Sequence, residues 1–303
     1  MERDAIKIPI VEIPNQWDVR LFVKREDWVH REISGNKYWK MFYNVKNYLS
    51  KEVENRLIIT FGGAFSNHIA ATSAVGEKFG VKTLGVIRGE ELENQWQENP
   101  TLAEAHRRGM EFLFVNREEY RNKELITQKL KEKHPEALIV PEGGTNELAV
   151  EGVKYMLDER TQDFDYLCTA VGTGGTISGL SKFAENHQKV LGFKVVKDDS
   201  VGERINQLSG KQNFQLFEAH EGRYGKITDE TVAFINGFYQ KHKVPLDPIY
   251  TGKMMKHLFE FIEKDYFPKN AKILAFHTGG LQGVLGANEL LKKQNRNLLK
   301  IEI

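Results

Sequence analysis

Short apolar runs that end in paired glycines recur along the chain, and stretches with helical spacing lie between them. The runs read RLIITFGG, ALIVPEGG, LCTAVGTGG and ILAFHTGG, at residues 56–63, 137–144, 167–175 and 273–280. Short apolar runs bounded by glycine are typical of buried parallel strands. The helical patterns fall at residues 98–108, 117–133, 229–242 and 253–264. Because strands alternate with helices, the pattern predicts an α/β protein with open, largely parallel sheets covered by helices.

The paired glycines predict a ligand site at the edge where strands end. Helix amino ends meet that edge, and their unpaired N–H groups and dipoles attract phosphate or carboxylate. Glycine also permits positive φ and lets a ligand approach the backbone closely. The alternative is that each pair only forms a tight turn, a role that glycine often fills. Their recurrence at several strand ends favours a ligand with more than one anionic group.

Composition and charge exclude several classes of protein. The 303 residues include 43 Lys and Arg against 42 Asp and Glu, for a formal net charge of +1. A nucleic-acid binder needs a clustered cationic excess to neutralise phosphates, so we expect no nucleic-acid partner. The longest apolar stretches fall far short of the roughly 20 residues of a membrane-spanning helix, so we expect no membrane contact.

The number and spacing of cysteines and histidines limit the expected compartment and the kinds of metal site. Cys168 is the single cysteine, which excludes an intrachain disulfide framework and a Cys-rich zinc cluster. The histidines lack metal-ligand spacing, so no metal site is predicted. The opening residues, MERDAIKIPIVEIPNQ, lack the apolar core of a secretory signal. The expected compartment is the cytoplasm.

The loop that best fits a phosphate is VGTGGTISG, residues 171–179. At a strand end just before a helix it places small residues that can wrap one phosphate, namely Gly172, Thr173, Gly174, Gly175 and Thr176. Ile177 stands where a dinucleotide fingerprint needs its last glycine, and the P-loop pattern is absent. Asp198 lies downstream, so a nicotinamide-dependent oxidoreductase stays open as an alternative. A cofactor with a single phosphate fits better.

Three polar residues, Ser66, Asn67 and His68, follow the glycine bend of GGAFSNH at a predicted helix start. Ser66 alone could be an ordinary helix cap, since serine is a preferred capping residue. The three together, beside a helix amino end, favour a site for a small carboxylate.

Lys37 and Tyr250 are the reactive candidates. A lysine is usually a solvated surface residue, and Lys37 gains interest because it follows Ser-Gly-Asn on a glycine turn. A buried lysine can lose its proton and form a Schiff base. Tyr250, in DPIYTGK, lies between a proline turn and a glycine, although a paired core tyrosine is the commoner role. His277, near the end of ILAFHTGG, is interpreted as a residue that ties loops together.

Six segments occur in the order found in one enzyme family: SGNKYWK, GGAFSNH, PEGGTNELAVEG, VGTGGTISGL, DPIYTGK and FHTGGLQG. The chain resembles the 1-aminocyclopropane-1-carboxylate deaminase and D-cysteine desulfhydrase family. That family uses pyridoxal 5′-phosphate and has the tryptophan synthase β-subunit type of fold, called fold type II. The resemblance extends from about residue 8 to residue 286. It implies a small amino acid as the substrate and a homodimer as the assembly.

The resemblance also implies roles for single residues. Lys37 would carry the cofactor as a Schiff base and later move the α-proton of the substrate. Residues 172–176 would hold the cofactor phosphate, and Asn67 would lie near the 3′ oxygen of the cofactor. The loop of Ser66, Asn67 and His68 would meet the substrate carboxylate. Tyr250 and Tyr224, the latter in GRYGK, correspond to active-site tyrosines of the family.

The fold implied by this resemblance has two α/β domains. A small domain, residues 47–153, would carry the GGAFSNH loop. A large domain, residues 1–46 and 154–303, would carry the phosphate loop and Lys37, with the cofactor in the cleft between the two. The chain departs from the family pattern GNKxRKLE at Trp39 and Met41, and residues 188–210 are hard to match.

The choice between the two activities of the family depends on a few positions. Deaminases resemble DPxYEG, with a glutamate where this chain has Thr251. A carboxylate beside the pyridine nitrogen favours its protonation and a stronger electron sink, whereas a hydroxyl does not. Thr251 therefore favours elimination of a thiol from D-cysteine, which gives pyruvate, sulfide and ammonia. Leu281, after HTGG, is more like the deaminases.

Two alternatives within this interpretation therefore stay open. One is ring opening of 1-aminocyclopropane-1-carboxylate to 2-oxobutanoate and ammonia, which the leucine after HTGG favours. The other is a protein with this fold that binds a ligand without turning it over. Release of keto acid and ammonia from any amino acid would remove the second.

Overall fold

The computed structural model describes residues 7–222 and 224–303. The strands of this part of the chain are β1 (Ile10–Ile13), β2 (Arg20–Lys24), β3 (Leu57–Gly62), β4 (Lys82–Arg88), β5 (Met110–Val115), β6 (Leu138–Val140), β7 (Tyr166–Val171), β8 (Lys189–Lys194), β9 (Phe214–Glu218) and β10 (Lys272–Phe276). Its α-helices are α1 (Asn36–Leu49), α2 (Asn67–Phe79), α3 (Pro100–Arg107), α4 (Arg117–Arg121), α5 (Lys123–Lys133), α6 (Glu147–Val153), α7 (Gly175–Phe183), α8 (Val201–Ser209), α9 (Asp229–His242), α10 (Thr251–Glu263) and α11 (Gly283–Lys293). Within these described residues, no helix has the length and apolar character needed to cross a membrane.

The strands form two sheets. A six-stranded sheet has the order β1-β2-β10-β7-β8-β9, and a four-stranded sheet has the order β5-β4-β3-β6. Only the hairpin of β1 and β2 pairs antiparallel among the described strands, and every other pair is parallel. The predicted α/β fold with largely parallel sheets is confirmed. The glycine-ended runs of the sequence are β3 and β6 in the smaller sheet and β7 and β10 in the larger one.

The side chains of β10 alternate between the two faces of the larger sheet and show how both faces are covered. Leu274 and Phe276 belong to a core that includes side chains of α1, whereas Ile273 and Ala275 belong to a second core with side chains of α10. Successive side chains of a strand point to opposite faces, so an unbroken apolar run can supply two cores. This explains why the run ILAF contains no polar residue.

The helical pattern of residues 117–133 is two helices rather than the single one predicted. Asn122 separates α4 from α5, and its side chain accepts a hydrogen bond from the backbone N–H of Leu125 at 3.2 Å. An asparagine side chain can replace backbone hydrogen bonds at a helix start, which ends one helix and begins the next. The correction matters because the short helix α4 carries Tyr120, which contacts Arg88 and Glu142.

The predicted domain boundaries at residues 47 and 153 stay a prediction. All strands of the smaller sheet lie between residues 57 and 140, inside the predicted small domain. The boundary at residue 47 falls within α1, which continues to Leu49. Residues 188–210, which were hard to match, form β8, α8 and the loop between them.

Trp39, one of the departures from the family pattern, is buried on α1 beside an acidic residue. Its indole Nε1 donates a hydrogen bond to Oε2 of Glu26 at 2.7 Å. Glu26 is fully buried, with Oε1 at 3.7 Å from the ammonium of Lys24. Burial raises the pKa of Glu26 to about 7, although the charge of Lys24 opposes the shift. A carboxyl group of the core is thus poised to titrate near neutral pH.

Candidate functional site

Loops that follow strands of both sheets line one cavity of about 210 Å³. The lining comes from the segments that follow β3, β6, β7, β8, β9 and β10, together with the ends of β4 and β7, the first residues of α1 and the residue before α10. The sequence predicted a ligand edge at four of these strand ends, and the structure brings them together. Nearly all of the predicted site residues are part of the lining: Lys37, Ser66, Asn67, His68, Gly172, Thr173, Gly174, Gly175, Thr176, Tyr224 and Tyr250.

Lys37 is the second residue of α1, and Gly35 sets its position. Gly35 has φ 63°, and a Cβ atom there would overlap the carbonyl oxygen of Thr278, so only glycine fits this approach. The backbone N–H of Asn36 donates to the same carbonyl at 3.3 Å. Burial lowers the pKa of Lys37 to about 8, although the negative charge of Asp247 opposes the shift. The amine is therefore far more often neutral than that of an exposed lysine.

Asn36 connects this lysine to the phosphate-like loop. Its Oδ1 accepts a hydrogen bond from Lys37 Nζ at 3.0 Å, and its Nδ2 donates to Thr176 Oγ1 at 2.7 Å. The residue is buried, so both contacts are shielded from water. Sequence reasoning used Asn36 only as a neighbour of Lys37, because nothing local shows that its side chain reaches a loop 140 residues further along the chain.

The loop after β7 has the form of an anion cradle. Gly174 has φ 90° and precedes the first turn of α7, so backbone N–H groups of a helix amino end face the cavity. The Oγ1 atoms of Thr173 and Thr145 lie 2.6 Å apart. Outside the cavity wall, Arg204 Nη1 donates to the carbonyl oxygen of Thr173 at 3.3 Å. The loop is thereby held from both sides, by the turn after β6 and by α8.

Lys40 is a cavity residue that the sequence analysis missed. Its ammonium donates to the carbonyl oxygen of Gly143 and, at 3.0 Å, to Thr145 Oγ1. A Cβ atom built on Gly175 would lie 2.9 Å from Lys40 Nζ, which places this amine against the phosphate-like loop. Burial and the charge of Lys37 hold the pKa of Lys40 well below its usual range. The spacing of three residues from Lys37, which puts both on one helix face, is the signal that could have found it.

Ser66, Asn67 and His68 form the amino end of α2 beside the cavity. Ser66 Oγ accepts hydrogen bonds from the backbone N–H groups of His68 at 3.2 Å and Ile69 at 3.4 Å, so the capping role left open by the sequence is present. Asn67 Oδ1 accepts from Gln282 Nε2 at 2.6 Å. These contacts fix the loop while its backbone remains on the cavity wall.

His68 is buried, and neither of its ring nitrogens has a hydrogen-bond partner among the described residues. Burial and the charges of Lys37 and Lys40 hold the pKa of His68 well below its usual range. The imidazole is therefore neutral, with one N–H donor and one acceptor still to be used. Buried polar groups without partners are rare in proteins, and this pair faces a cavity.

Tyr224 and Tyr250 form a hydroxyl pair at the cavity wall. Their oxygens lie 3.1 Å apart, and Tyr250 also contacts the backbone at Gly172 closely enough that a Cβ there would be 3.2 Å from its ring. Burial raises the pKa of both tyrosines, that of Tyr250 well above its usual range. Both hydroxyls therefore stay protonated near neutral pH and can donate hydrogen bonds.

Thr251 is the one predicted site residue that does not line the cavity. It is fully buried, and its hydroxyl donates to Asp247 Oδ1 at 2.8 Å while accepting from the backbone N–H of Asp247 at 2.9 Å. Its predicted contact with a pyridine nitrogen stays a prediction. The carboxylate of Asp247 also accepts from the backbone N–H groups of Ile249 and Tyr250, so it holds the turn that positions Tyr250.

His277 ties two loops together, as the sequence suggested. Its Nε2 lies 2.6 Å from the carbonyl oxygen of Pro245, and its Nδ1 lies 3.3 Å from Asp27 Oδ1. Asp198, the residue that kept a nicotinamide cofactor open, lies at the cavity and accepts hydrogen bonds from Ser200 and Arg204. Both side chains thus have structural partners.

The donor set fits pyridoxal phosphate. The glycine cradle and the buried Lys40, which has no ion pair among the described residues, suit a phosphate, because a buried ammonium without an anion is costly. The lowered pKa of Lys37 suits an amine that must react with an aldehyde. The unpartnered His68 and the amino end of α2 suit a carboxylate. One cavity therefore contains groups whose chemistry suits a phosphate, an aldehyde carbon and a carboxylate.

Comparison with known proteins agrees with this chemistry. A family model described as pyridoxal-phosphate dependent enzyme matches residues 2–279. A Thermotoga maritima protein that is named provisionally as a 1-aminocyclopropane-1-carboxylate deaminase is 30% identical over 92% of this chain and 94% of its own. An Arabidopsis thaliana protein named bifunctional D-cysteine desulfhydrase/1-aminocyclopropane-1-carboxylate deaminase is also 30% identical, over 90% of this chain and 74% of its own.

A solved structure gives the same result for the fold. The crystal structure of a protein titled as an ACC deaminase homologue has a TM-score of 0.81 to this chain at 27% identity, covering 96% of this chain and 95% of the other. The predicted fold type II and the resemblance noted from the sequence are confirmed. The nicotinamide-dependent alternative has no support in these comparisons.

Proposed function

The chain belongs to the family of pyridoxal-phosphate dependent enzymes, and from that premise we propose that it eliminates the thiol of D-cysteine. The observation that carries the proposal is the position of Lys37, an amine with a pKa of about 8 between a phosphate cradle and a carboxylate loop. When bound, the cofactor supplies the electron sink for charge that develops on the substrate Cα atom. The protein supplies orientation, proton transfer and the exclusion of water.

Lys37 has two duties in this proposal. Its neutral amine holds the cofactor covalently before the substrate arrives, and it then accepts the proton from the Cα atom. Asn36 accepts a hydrogen bond from the amine at 3.0 Å and so keeps it directed at the cavity. A pKa of about 8 supports both duties, because an amine is useful as a base only near the working pH.

Two further groups of residues would hold the ligands in place. Lys40 and residues 172–176 would bind the cofactor phosphate, with Thr173 and Thr176 as hydroxyl donors. Ser66, Asn67 and His68 would meet the substrate carboxylate at the amino end of α2, and the neutral His68 has a free N–H for it. The resemblance also gives Asn67 a contact with the 3′ oxygen of the cofactor. Thr251, beside the pyridine nitrogen in the family pattern, would leave that nitrogen without a carboxylate partner.

The reaction balances with one molecule of water. The Cα–H bond breaks and its proton goes to Lys37, while the Cβ–S bond breaks and sulfur leaves with the electron pair. Tyr250, which holds its proton because its pKa is raised, would donate a hydrogen bond to the departing sulfur, with the hydroxyl of Tyr224 beside it. Water then converts the remaining three-carbon unit to pyruvate and ammonia, and sulfide is the third product.

Deamination of 1-aminocyclopropane-1-carboxylate is the second candidate function. The names of the relatives from Thermotoga and Arabidopsis favour it, since both include this activity. Water and the cyclopropane amino acid would give 2-oxobutanoate and ammonia. Elimination is placed first because the position after Tyr250 is a threonine, and a neutral hydroxyl supports a weaker electron sink than a carboxylate.

We also propose a homodimer in the cytoplasm, built from a small domain of residues 47–153 and a large domain of the remaining residues. Trp28, Leu285 and Ile303 are 62%, 60% and 61% exposed and line one groove, which supports a partner copy there. The single cysteine is buried and unpaired, which is compatible with a reducing compartment. Light scattering of the purified chain measures the assembly directly.

The test of function is a substrate screen with the purified holoenzyme. D-cysteine, L-cysteine and 1-aminocyclopropane-1-carboxylate are each assayed for sulfide, keto acid and ammonia. Elimination is supported by equal amounts of pyruvate, sulfide and ammonia from D-cysteine, and ring opening by 2-oxobutanoate from the cyclopropane. Lys37→Ala should abolish turnover, whereas Lys46→Ala, which removes an exposed lysine from the same helix, should not. Borohydride reduction and peptide mapping should place the cofactor on Lys37 alone.

A further inference from the structure

Arg88 is a cation of the cavity that the reaction described above does not use. It is the last residue of β4, half-buried, and its Nη2 lies beside Gly63, where a Cβ atom would be 3.4 Å away. Within residues 7–222 and 224–303 its guanidinium makes no hydrogen bond and no ion pair. The ring of Tyr120 lies against it, with the ring centroid 5.7 Å from Cζ.

A carboxylate that lines the same cavity as Arg88 is already engaged elsewhere. Glu142 lines the same cavity, but its Oε1 accepts a hydrogen bond from the hydroxyl of Tyr120 at 3.0 Å. Its Oε2 lies 3.2 Å from the ammonium of Lys123. The buried Tyr120 thus stands between the two cavity charges, with its ring against Arg88 and its hydroxyl on Glu142. The guanidinium therefore keeps its N–H donors free, while the ring of Tyr120 supports its position.

The cavity therefore has one more place for an anion than the proposed reaction needs. In the proposed function, Lys40 and the loop after β7 bind the cofactor phosphate. The amino end of α2 and His68 bind the substrate carboxylate. Arg88, at the end of β4, is not among the groups assigned to either, and its Nη2 lies beside Gly63, three residues before Ser66. A guanidinium binds phosphate, sulfonate or carboxylate through paired N–H donors.

On the premise of the function proposed above, we infer that Arg88 recognises an oxyanion group on the β-substituent of the amino-acid substrate. The substrate class then extends beyond D-cysteine to amino acids whose leaving group is a phosphate, sulfonate or related oxyanion. With O-phosphoserine, the Cα proton goes to Lys37 and the Cβ–O bond breaks with its electron pair leaving on phosphate. Water converts the rest to pyruvate and ammonia, so the products differ from those of D-cysteine only in the leaving group.

Binding to the holoenzyme tests this inference without turnover. Calorimetry compares 2-amino-3-phosphonopropionate, whose carbon–phosphorus bond replaces the ester link, with neutral 2-aminobutyrate, each as both enantiomers. The phosphonate should bind about 10- to 100-fold more tightly, the range expected of charge-assisted hydrogen bonds. Arg88→Gln should remove the preference and Arg88→Lys should keep part of it. Lys82→Gln, at the exposed start of the same strand, is the matched control and should leave it unchanged.

Three outcomes would overturn the inference. One is equal binding of the two probes by the unmodified enzyme, and another is a preference that survives Arg88→Gln. The third is loss of cofactor from Arg88→Gln on gel filtration, which would assign Arg88 to the cofactor phosphate. The substrate screen separates this inference from the proposed function. If no amino acid yields a keto acid but the phosphonate preference still depends on Arg88, the proposed reaction is wrong and oxyanion recognition by Arg88 is supported. Phosphate release from O-phosphoserine supports both.

Discussion

Lys37 should react with an aldehyde at a pH where an ordinary lysine is almost inert. Burial lowers its pKa from 10.5 to about 8 against the opposing charge of Asp247. At pH 7 a group with that pKa is about 9% neutral, whereas a lysine at 10.5 is about 0.03% neutral, following the usual titration relation. The reactive fraction is thus about 300-fold larger, which corresponds to about 3.4 kcal/mol.

The assay is the rate of covalent cofactor uptake by protein from which the cofactor has been removed. Absorbance is followed from pH 6 to pH 10, and each rate is divided by that of a free lysine derivative with the same aldehyde, so that titration of the aldehyde cancels. The ratio should be about 300 at pH 7 and fall as the free amine itself becomes neutral, to about 4 at pH 10. Lys37→Arg should form no adduct, and Lys46→Ala should follow the unmodified protein.

The reasoning is refuted by a ratio that stays flat across the whole range. A flat ratio would mean that Lys37 titrates like an exposed lysine and that the cavity does not lower its pKa. Uptake that persists in Lys37→Arg would show instead that a different amine, such as Lys40, reacts with the aldehyde.

Three further predictions follow from single positions. In Gly175→Ala the new methyl group would lie 2.9 Å from Lys40 Nζ, so cofactor retention should weaken at least 10-fold in equilibrium dialysis. Circular dichroism should show that the variant stays folded. Unchanged retention would contradict the phosphate role of Lys40. Gly35→Ala should lower stability by about 2 kcal/mol or more in urea titrations, because its Cβ overlaps the carbonyl oxygen of Thr278, and Gly237→Ala, in open space, is the control. Glu26 has a folded pKa of about 7, above its usual 4.5, so its ionisation opposes folding and stability is lost as pH rises from about 4.5 to 7. The difference in unfolding free energy between the unmodified protein and Glu26→Gln should change by about 3 kcal/mol over that window, and parallel pH curves would refute the assignment.

Local patterns were sufficient to predict four of the ten described strands and most of the cavity loops. The runs that became β3, β6, β7 and β10 are largely apolar, with Thr60 and Thr169 as buried exceptions, and glycine follows where the backbone must turn. The loops of Ser66–His68 and Gly172–Thr176 are contiguous in sequence, so their composition alone marks them. The antiparallel β1 was not predicted, since it is short and half-exposed.

Residues whose importance depends on distant contacts could not be found in this way. Lys40, Arg88 and Asp247 are ordinary charged residues in the sequence, and only burial and the packing of separate elements make them part of the cavity or its support. Asn36 reaches Thr176 across 140 residues. Thr251 shows the reverse case. The family motif predicts a contact with the cofactor, whereas in the structure its hydroxyl donates a hydrogen bond to Asp247.

The start of α1 fixes the distance between two amines of the cavity. Lys37 and Lys40 are three residues apart, and a helix rises 1.5 Å per residue, so the two amines originate about 4.5 Å apart along one rigid axis. No loop intervenes that could absorb a change in this spacing. One residue inserted between them would turn Lys40 by about 100° around the helix axis and increase the separation along that axis to about 6 Å. In the proposed function, the helix therefore sets the distance between the amine that binds the aldehyde and the amine that binds the phosphate.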